Sequence, residues 1–588
     1  MKSKRIKRAN NVRREEARGI SFTFRRMSVL FIFSIAICIL TWRAIDQQIL
    51  ERDFLQSEGA DRYLDKVHIV GHRGLITDRR GDVLALSTPV DSITANPRVL
   101  RFDNPTLGLL AESLNLQTHE LRQKLARYSK KRFVYLKNKL PPSEARHILN
   151  VAKSNGLNGL SLERSYKRYY PAGEIFSHVI GFANHKDKGQ EGIELAYDHE
   201  LSGSAGSKLV LRDGRRRAVD DIENIKSPQN GKNLALSIDG RLQYIAYREL
   251  KAAVKRNQAI GGSAVVLDVQ TGEILAMVNQ PGFNPNGDRS SKNGRIRNRS
   301  LTDVFEPGST MKPFAIAAAM ELKAITSKSI IDTGSGTLQI AGKIIQDKNK
   351  LGKINLTTLL SRSSNVGAAK VSLMMDRSAF WRILDKFGFG KSLYTGFPAE
   401  SSGNLNFWRD WTKIDHANLS FGYGISTNAV QLAKAYATLA NGGISVPVTI
   451  LKRNQKPDGQ RIISRKISKE VIQMLESVVK PGGTAPQAAI AGYKVAGKSG
   501  TVKKFGQNGY SDNRYLSIFA GVAPASNPKL IMVTIIDEPR GKKFYGGSVV
   551  GPIFSNVIDE ALRLLNVEPD NLKSPKIQLA KNEKKAVK

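Results

Sequence analysis

The chain reads as an α+β protein in which an antiparallel sheet flanked by helices sits on an elongated mixed α/β pedestal behind one N-terminal transmembrane helix. Three observations support this reading. Short apolar strand patterns stand near both ends of the segment from Asn233 to about Leu565, with helical patterns between them, so both ends close one sheet. Met27 to Trp42 runs sixteen residues without a charge and is the most apolar stretch. Between these, Asp46 to about Lys232 carries short strands and turns with one helical pattern near Pro142 to Val151.

Taken in order, residues 1–26 hold ten basic and two acidic side chains and read as a cytoplasmic tail. Residues 27–45 read as the anchor. Sixteen helical residues rise about 24 Å against a hydrocarbon core of about 30 Å. Phe22, Phe24 and Ile45 extend the span, and Arg26 and Arg43 can snorkel. The basic tail places the N-terminus in the cytoplasm and the rest of the chain outside. A cleaved signal peptide is the alternative, but no convincing small-x-small site follows the apolar run.

Residues 46–232 read as a folded spacer that holds the following domain away from the membrane. Arg73 to Gly81, Arg168-Tyr169-Tyr170-Pro171 and Gly189 to Glu194 stand out as turn-rich strand connections with charges placed to pair. None looks like a reaction centre. Residues 233–565 form the α+β domain. Leu234 to Ile238 reads as a strand, Arg241 to Arg256 as a helix, and Ser263 to Asp268 with Gly272 to Val278 as a hairpin. Tyr515 to Val522 and Leu530 to Ile536 supply the trailing strands. Residues 566–588 are a basic C-terminal tail, expected to be disordered.

Composition narrows the chemistry. Of 588 residues, 91 are Lys or Arg and 52 Asp or Glu, a formal net charge of +39. No zinc-finger, helix-turn-helix or aromatic-basic motif accompanies that charge, so nucleic acid is not the expected partner. An anionic membrane or polyanionic envelope material accounts for it. Cys38 is the one cysteine, which excludes an intramolecular disulfide and a cysteine metal site, and the eight histidines do not cluster. No cofactor or metal is expected.

The chemistry centres on Phe305-Glu306-Pro307-Gly308-Ser309-Thr310-Met311-Lys312-Pro313, followed by the apolar run Phe314 to Leu322. Pro307-Gly308 marks a turn, and Pro313 is tolerated in a first helical turn, so Ser309 is expected at or just before a helix N-terminus. Lys312 then lies one turn along, with its amine able to reach the serine hydroxyl. A serine hydroxyl becomes nucleophilic once a base takes its proton, and a buried lysine near other cations can serve as that base. Ser-x-x-Lys alone is a weak signal. The same spacing recurs at Ser477 to Lys480, before Pro481-Gly482-Gly483, and reads there as surface.

Two further stretches raise Ser309 above coincidence. Ser363-Ser364-Asn365 places a hydroxyl and an amide two residues apart in a loop before a helix, where the hydroxyl can relay a proton and the amide can both donate and accept. Lys498-Ser499-Gly500-Thr501 places a cation and two hydroxyls on a strand, with a glycine expected to let a substrate lie against the strand edge. Each is common alone. In this order within one domain the three are far more specific, and they resemble the Ser-x-x-Lys, Ser-x-Asn, Lys-(Thr/Ser)-Gly set of penicillin-binding proteins and β-lactamases.

From residue 22 to about 565 the chain resembles a class B penicillin-binding protein, a membrane-anchored peptidoglycan D,D-transpeptidase, and around Ser309 it is most similar to the division-specific type. Phe421-Gly422-Tyr423-Gly424 and Tyr545-Gly546-Gly547 share in the resemblance. Lys498-Ser499-Gly500 has serine where threonine is commoner, which keeps the hydroxyl.

The resemblance implies that Lys312 deprotonates Ser309, which attacks the penultimate D-alanine carbonyl of a stem peptide ending D-Ala-D-Ala. Ser363 and Lys498 would protonate the leaving D-alanine, and Asn365 would hold the donor. Lys498, Ser499 and Thr501 would receive its carboxylate, with Gly500 beside them. The Ser309 and Thr501 amides would form the oxyanion hole.

The implied partners are stem peptides, β-lactams as covalent inhibitors, a membrane glycosyltransferase and other division proteins. The implied location is the inner membrane at the septum, with the catalytic domain in the periplasm. Lateral-wall synthesis, a D,D-carboxypeptidase or β-lactamase, and a β-lactam sensor are the alternatives.

Overall fold

The computed structural model describes residues 3–571 except 70, 101–102, 213–217, 288–293, 507–508 and 542. Most of the basic C-terminal tail therefore lies outside the described residues. The chain forms two compact units, one of Met1–Gly71 and Ser204–Gln229, the other of His72–Gly203 and Asn230 onward.

In the first unit a helix spans Ser3–Ile45, a π-helical turn Asp46–Leu50 and a second helix Arg52–Tyr63. Thr23–Leu50 is 28 residues long and apolar enough to cross a membrane, and it contains the expected 27–45. Ser28 and Thr41 donate their hydroxyls to the carbonyls of Phe24 and Ile37 four residues back, so neither polar group is left unmatched in an apolar setting. Leu64–Ile69 pairs antiparallel with Gly206–Arg212, which pairs in turn with Ala218–Lys226.

In the second unit the long strand Val83–Ala95 pairs with Leu160–Tyr169, Val134–Leu140 and Ile76–Thr77. The expected strand at Leu234 is short, Leu234–Ala235, and lies parallel to Ile76–Thr77. Three helices accompany this sheet, Leu107–Ser113, Thr118–Arg127 and Pro142–Ser154, where the sequence pattern showed only the last. The middle one buries just Leu121 and Leu125, too sparse a stripe to read without its neighbours.

The three charged pieces of this region meet. Arg73 Nε lies 2.5 Å and Arg168 Nε 2.6 Å from the two oxygens of the fully buried Glu194, and Arg73 Nη1 lies 2.6 Å from Asp198. Two guanidiniums sharing one carboxylate offset the cost of burying all three charges.

A five-stranded antiparallel sheet organises the rest. Its order is Ile274–Gln280, Gly261–Asp268, Leu530–Asp537, Gly509–Ala523 and Ala496–Gly506, which makes the Lys498 strand an edge. Both hairpin strands and Leu530–Asp537 are buried almost throughout, as expected of strands covered on both faces. The helices Gly240–Arg256 and Gly551–Leu564 pack together and on the sheet, and Ala429–Ala440 packs on its central strands. Lys312–Glu321 is buried from Lys312 to Met320, a helix apolar on every side and thus central to the core.

Candidate active site

Ser309 lies in a 3-10 turn, Gly308–Met311, that runs directly into the helix Lys312–Glu321, with Pro313 in its first turn. Several contacts hold this turn. Phe314 makes edge contacts with Phe387, Phe389 and Tyr436 at 5.1–5.3 Å, and the Tyr436 hydroxyl donates to Thr310 O at 2.8 Å. Thr310 Oγ1 donates to Pro307 O at 2.7 Å, and Gly308 N to Gly422 O at 3.1 Å. Gly422, at φ +84°, comes so close that a Cβ on it would stand 2.1 Å from Gly308 O.

The Lys312 amine does not take the expected short route to Ser309. It donates to Ser363 O at 2.6 Å, Ser363 Oγ at 3.0 Å and Asn365 Oδ1 at 2.8 Å, and Ser363 Oγ in turn donates to Ser309 Oγ at 3.0 Å. Ser363 stands between Lys312 and Ser309. It can do so because its backbone is left-handed, φ +59°, at the C-terminal end of the helix Leu356–Arg362, which turns its hydroxyl and carbonyl toward Lys312. Ser364 then caps the helix Asn365–Leu373, its Oγ accepting from Gly367 N at 2.8 Å.

Asp347 belongs to this arrangement and had no signal in the sequence. Its carboxylate accepts from Asn365 N at 2.5 Å, Val366 N at 3.0 Å and Ser364 Oγ at 2.5 Å, so it fixes the start of the Asn365 helix. A buried carboxylate at a helix N-terminus meets both the free amides and the dipole. Seventeen or more residues separate the partners, with no periodicity to announce them.

Lys498 is fully buried on the edge strand and donates to Ser499 O at 3.0 Å. Ser499 Oγ donates to Thr484 Oγ1 at 2.9 Å, and Thr501 Oγ1 accepts from Gly546 N at 3.0 Å. Gly500 also has a close neighbour within the protein. A Cβ there would stand 3.2 Å from Pro307 O and Thr310 Cγ2, so the glycine admits the Ser309 turn against the strand. The comparison pair Ser477 and Lys480 lies apart, with Ser477 donating to Met474 O and Lys480 exposed.

Burial, the Lys498 charge and, in opposition, Asp347 together hold Lys312 well below the usual lysine range. Burial brings Lys498 down to about 7. Lys312 is thus biased toward its neutral, proton-accepting form, and Lys498 can carry or release a proton near neutral pH.

Residues 262–559 match the family model of the penicillin-binding protein transpeptidase domain, and residues 68–236 that of the penicillin-binding protein dimerisation domain. The chain belongs to the penicillin-binding protein transpeptidase family. It is 39% identical over 564 residues to the peptidoglycan D,D-transpeptidase FtsI of Escherichia coli strain K12, covering 95% of this chain and 94% of that one. Among solved structures, the transpeptidase domain of Burkholderia pseudomallei penicillin-binding protein 3 is 42% identical with a TM-score of 0.53, covering 57% of this chain and 97% of that one. Penicillin-binding protein 3 of Mycobacterium tuberculosis, complexed with aztreonam, is 25% identical with a TM-score of 0.66, covering 86% of this chain and 98% of that one. As a class B penicillin-binding protein close to type three, this chain carries the family's three serine and lysine motifs on one turn, one inter-helix loop and one edge strand.

Proposed function

We infer that the protein is a serine D,D-transpeptidase that cross-links peptidoglycan stem peptides and is acylated by β-lactams. The observation that supports this most directly is the hydrogen-bonded chain from Lys312 through Ser363 to Ser309 in a chain so similar to a peptidoglycan D,D-transpeptidase.

For the reaction the two hydroxyls rotate so that Ser309 donates to Ser363 Oγ and Ser363 donates to the neutral Lys312 amine. The proton passes along these bonds to Lys312 while Ser309 Oγ forms a bond to the penultimate D-alanine carbonyl carbon. The amides of Ser309 and Thr501 receive the developing oxyanion, a role in which losing one donor costs about 3–4 kcal/mol. The bond to the terminal D-alanine then breaks, and its nitrogen takes a proton through Ser363 from Lys312 or Lys498. Asn365 holds the donor peptide, and Lys498, Ser499 and Thr501 receive the terminal carboxylate beside Gly500. A second stem peptide's amine attacks the ester carbonyl, forming the cross-link and returning the proton to Ser309.

The helix Thr23–Leu50 fits a single-pass membrane anchor. We place the N-terminus in the cytoplasm and the catalytic domain in the periplasm from the basic tail before the helix. Similarity to FtsI favours septal over lateral-wall synthesis, with a membrane glycosyltransferase and other division proteins as partners. Uniform sidewall localisation in dividing cells would overturn the septal assignment.

A fluorescent penicillin separates these readings. Stable labelling of the wild type, lost in Ser309→Ala, together with cross-linking of stem peptides, is the expected result. Rapid loss of label would indicate a hydrolase of the same fold. Function that survives Ser309→Ala would indicate a sensor or scaffold.

A further inference from the structure

Lys348 and Tyr545 meet across the site. The Lys348 amine lies 4.6 Å from the centre of the Tyr545 ring and 3.5 Å from its hydroxyl. Each is tied to a different side of the catalytic group. Lys348 directly follows Asp347, which holds the amides of Asn365 and Val366, and Gln346 O accepts from Asn365 Nδ2 at 3.3 Å. Tyr545 directly precedes Gly546, whose amide donates to Thr501 Oγ1. The contact therefore bridges the Ser363–Asn365 side and the Lys498–Thr501 side.

The two partners differ in stiffness. Tyr545 is about half exposed, but its ring leans on Phe544 at 4.5 Å, which is stacked on Tyr515 at 4.4 Å, and Phe544 O accepts from Ser517 Oγ at 2.6 Å. Lys348 is an exposed, flexible side chain on a fixed backbone. An exposed ammonium–ring contact and a hydroxyl contact at the limit of hydrogen bonding are weak, and a carboxylate competes well for the same ammonium. A peptide held between Asn365 and Thr501 has to displace this contact or run beside it.

We propose that Lys348 is a specificity-determining residue for the donor stem peptide. Its ammonium leaves the Tyr545 ring to bind a carboxylate on the residue that precedes D-Ala-D-Ala, and the ring lines the same subsite. This rests on the transpeptidase reading above and assigns that reaction a preference for acidic donors.

The test uses full-length protein in detergent and two synthetic donor peptides, identical except for a carboxylate or a carboxamide on the residue preceding D-Ala-D-Ala. The wild type is expected to favour the carboxylate peptide in kcat/KM by about fivefold, the size of one exposed ion pair, through a lower KM. That preference should shrink in high salt, vanish in Lys348→Gln and persist in Lys348→Arg. Tyr545→Ala removes a wall of the subsite from both peptides but also the ring's competition for the ammonium, so the carboxylate preference should be at least as large as in the wild type, and its loss would count against the proposal.

No preference in the wild type, or an equal loss on both peptides in Lys348→Gln, would overturn the proposal. Labelling of each variant with a fluorescent penicillin shows that its nucleophile works, and absence of labelling in the wild type would instead sink the transpeptidase reading.

Discussion

Ser363 joins Lys312 to Ser309, which in the proposed mechanism makes it the proton relay. Its hydroxyl lies 3.0 Å from both the Lys312 amine and the Ser309 hydroxyl, so Ser363→Ala is expected to slow acylation by about 10²–10⁴-fold, the usual worth of a positioned acid–base group. Stopped-flow penicillin acylation measures this. The electrostatics of Lys312 yield a signed expectation. Acylation requires the neutral amine, so its rate rises as pH passes upward through the Lys312 pKa, which burial and then the Lys498 charge depress and Asp347 raises. Lys498→Gln removes a neighbouring cation, raises that pKa and should move the rising limb of the pH–acylation profile to higher pH. Asp347→Asn removes a neighbouring anion and should move it to lower pH. Limbs that do not move in these directions would exclude Lys312 as the base.

One tight contact places the Ser309 turn, and a second, a buried ion cluster, bears on stability alone. The Ser309 turn is pressed against Gly422, so Gly422→Ala would force a Cβ into the Gly308 backbone at a position of positive φ. Strain of this kind costs about 1–3 kcal/mol, and the expected result is a cooperatively folded protein with acylation reduced more than tenfold. Glu194 neutralises Arg73 and Arg168 in the interior. Glu194→Gln leaves two buried guanidiniums short of a counter-charge and should cost about 3–5 kcal/mol in denaturant unfolding. Penicillin labelling of the folded variant should persist, because Ser309, Lys312 and Ser363 make no bond to this cluster.

The membrane helix and the catalytic group lie in separate compact units, with residues 1–71 and 204–229 in one and the Ser309 site in the other. Removing residues 1–50 takes away the apolar span while leaving the strand Leu64–Ile69 and its pairing intact. The truncated protein is expected to leave the membrane fraction and still be labelled at Ser309 by a fluorescent penicillin. Loss of labelling in a soluble, folded product would mean that the anchor supports the site as well as its location.

Local signals sufficed wherever neighbours in sequence are neighbours in space. Ser309 and Lys312 share a turn, Pro313 sits where a helix tolerates it, and the apolar span and the paired strands follow from short-range pattern. Long-range hydrogen bonds left no such trace. Asp347 was missed because its partners are amides and a hydroxyl seventeen or more residues away, and backbone amides carry no sequence identity. The left-handed φ of Ser363 was equally invisible, since serine has no preference for that region and only the surrounding packing holds it there. Gly500 is expected to leave room for a substrate; that it also admits Pro307 and Thr310 was not legible, because it is set by how the Ser309 turn docks on the edge strand. Residue types and spacing were therefore enough to single out Ser309, Lys312 and Ser363, which the fold brings into one hydrogen-bonded chain. The route of the proton between them depends on three-dimensional packing, because it runs through contacts that chain order does not encode.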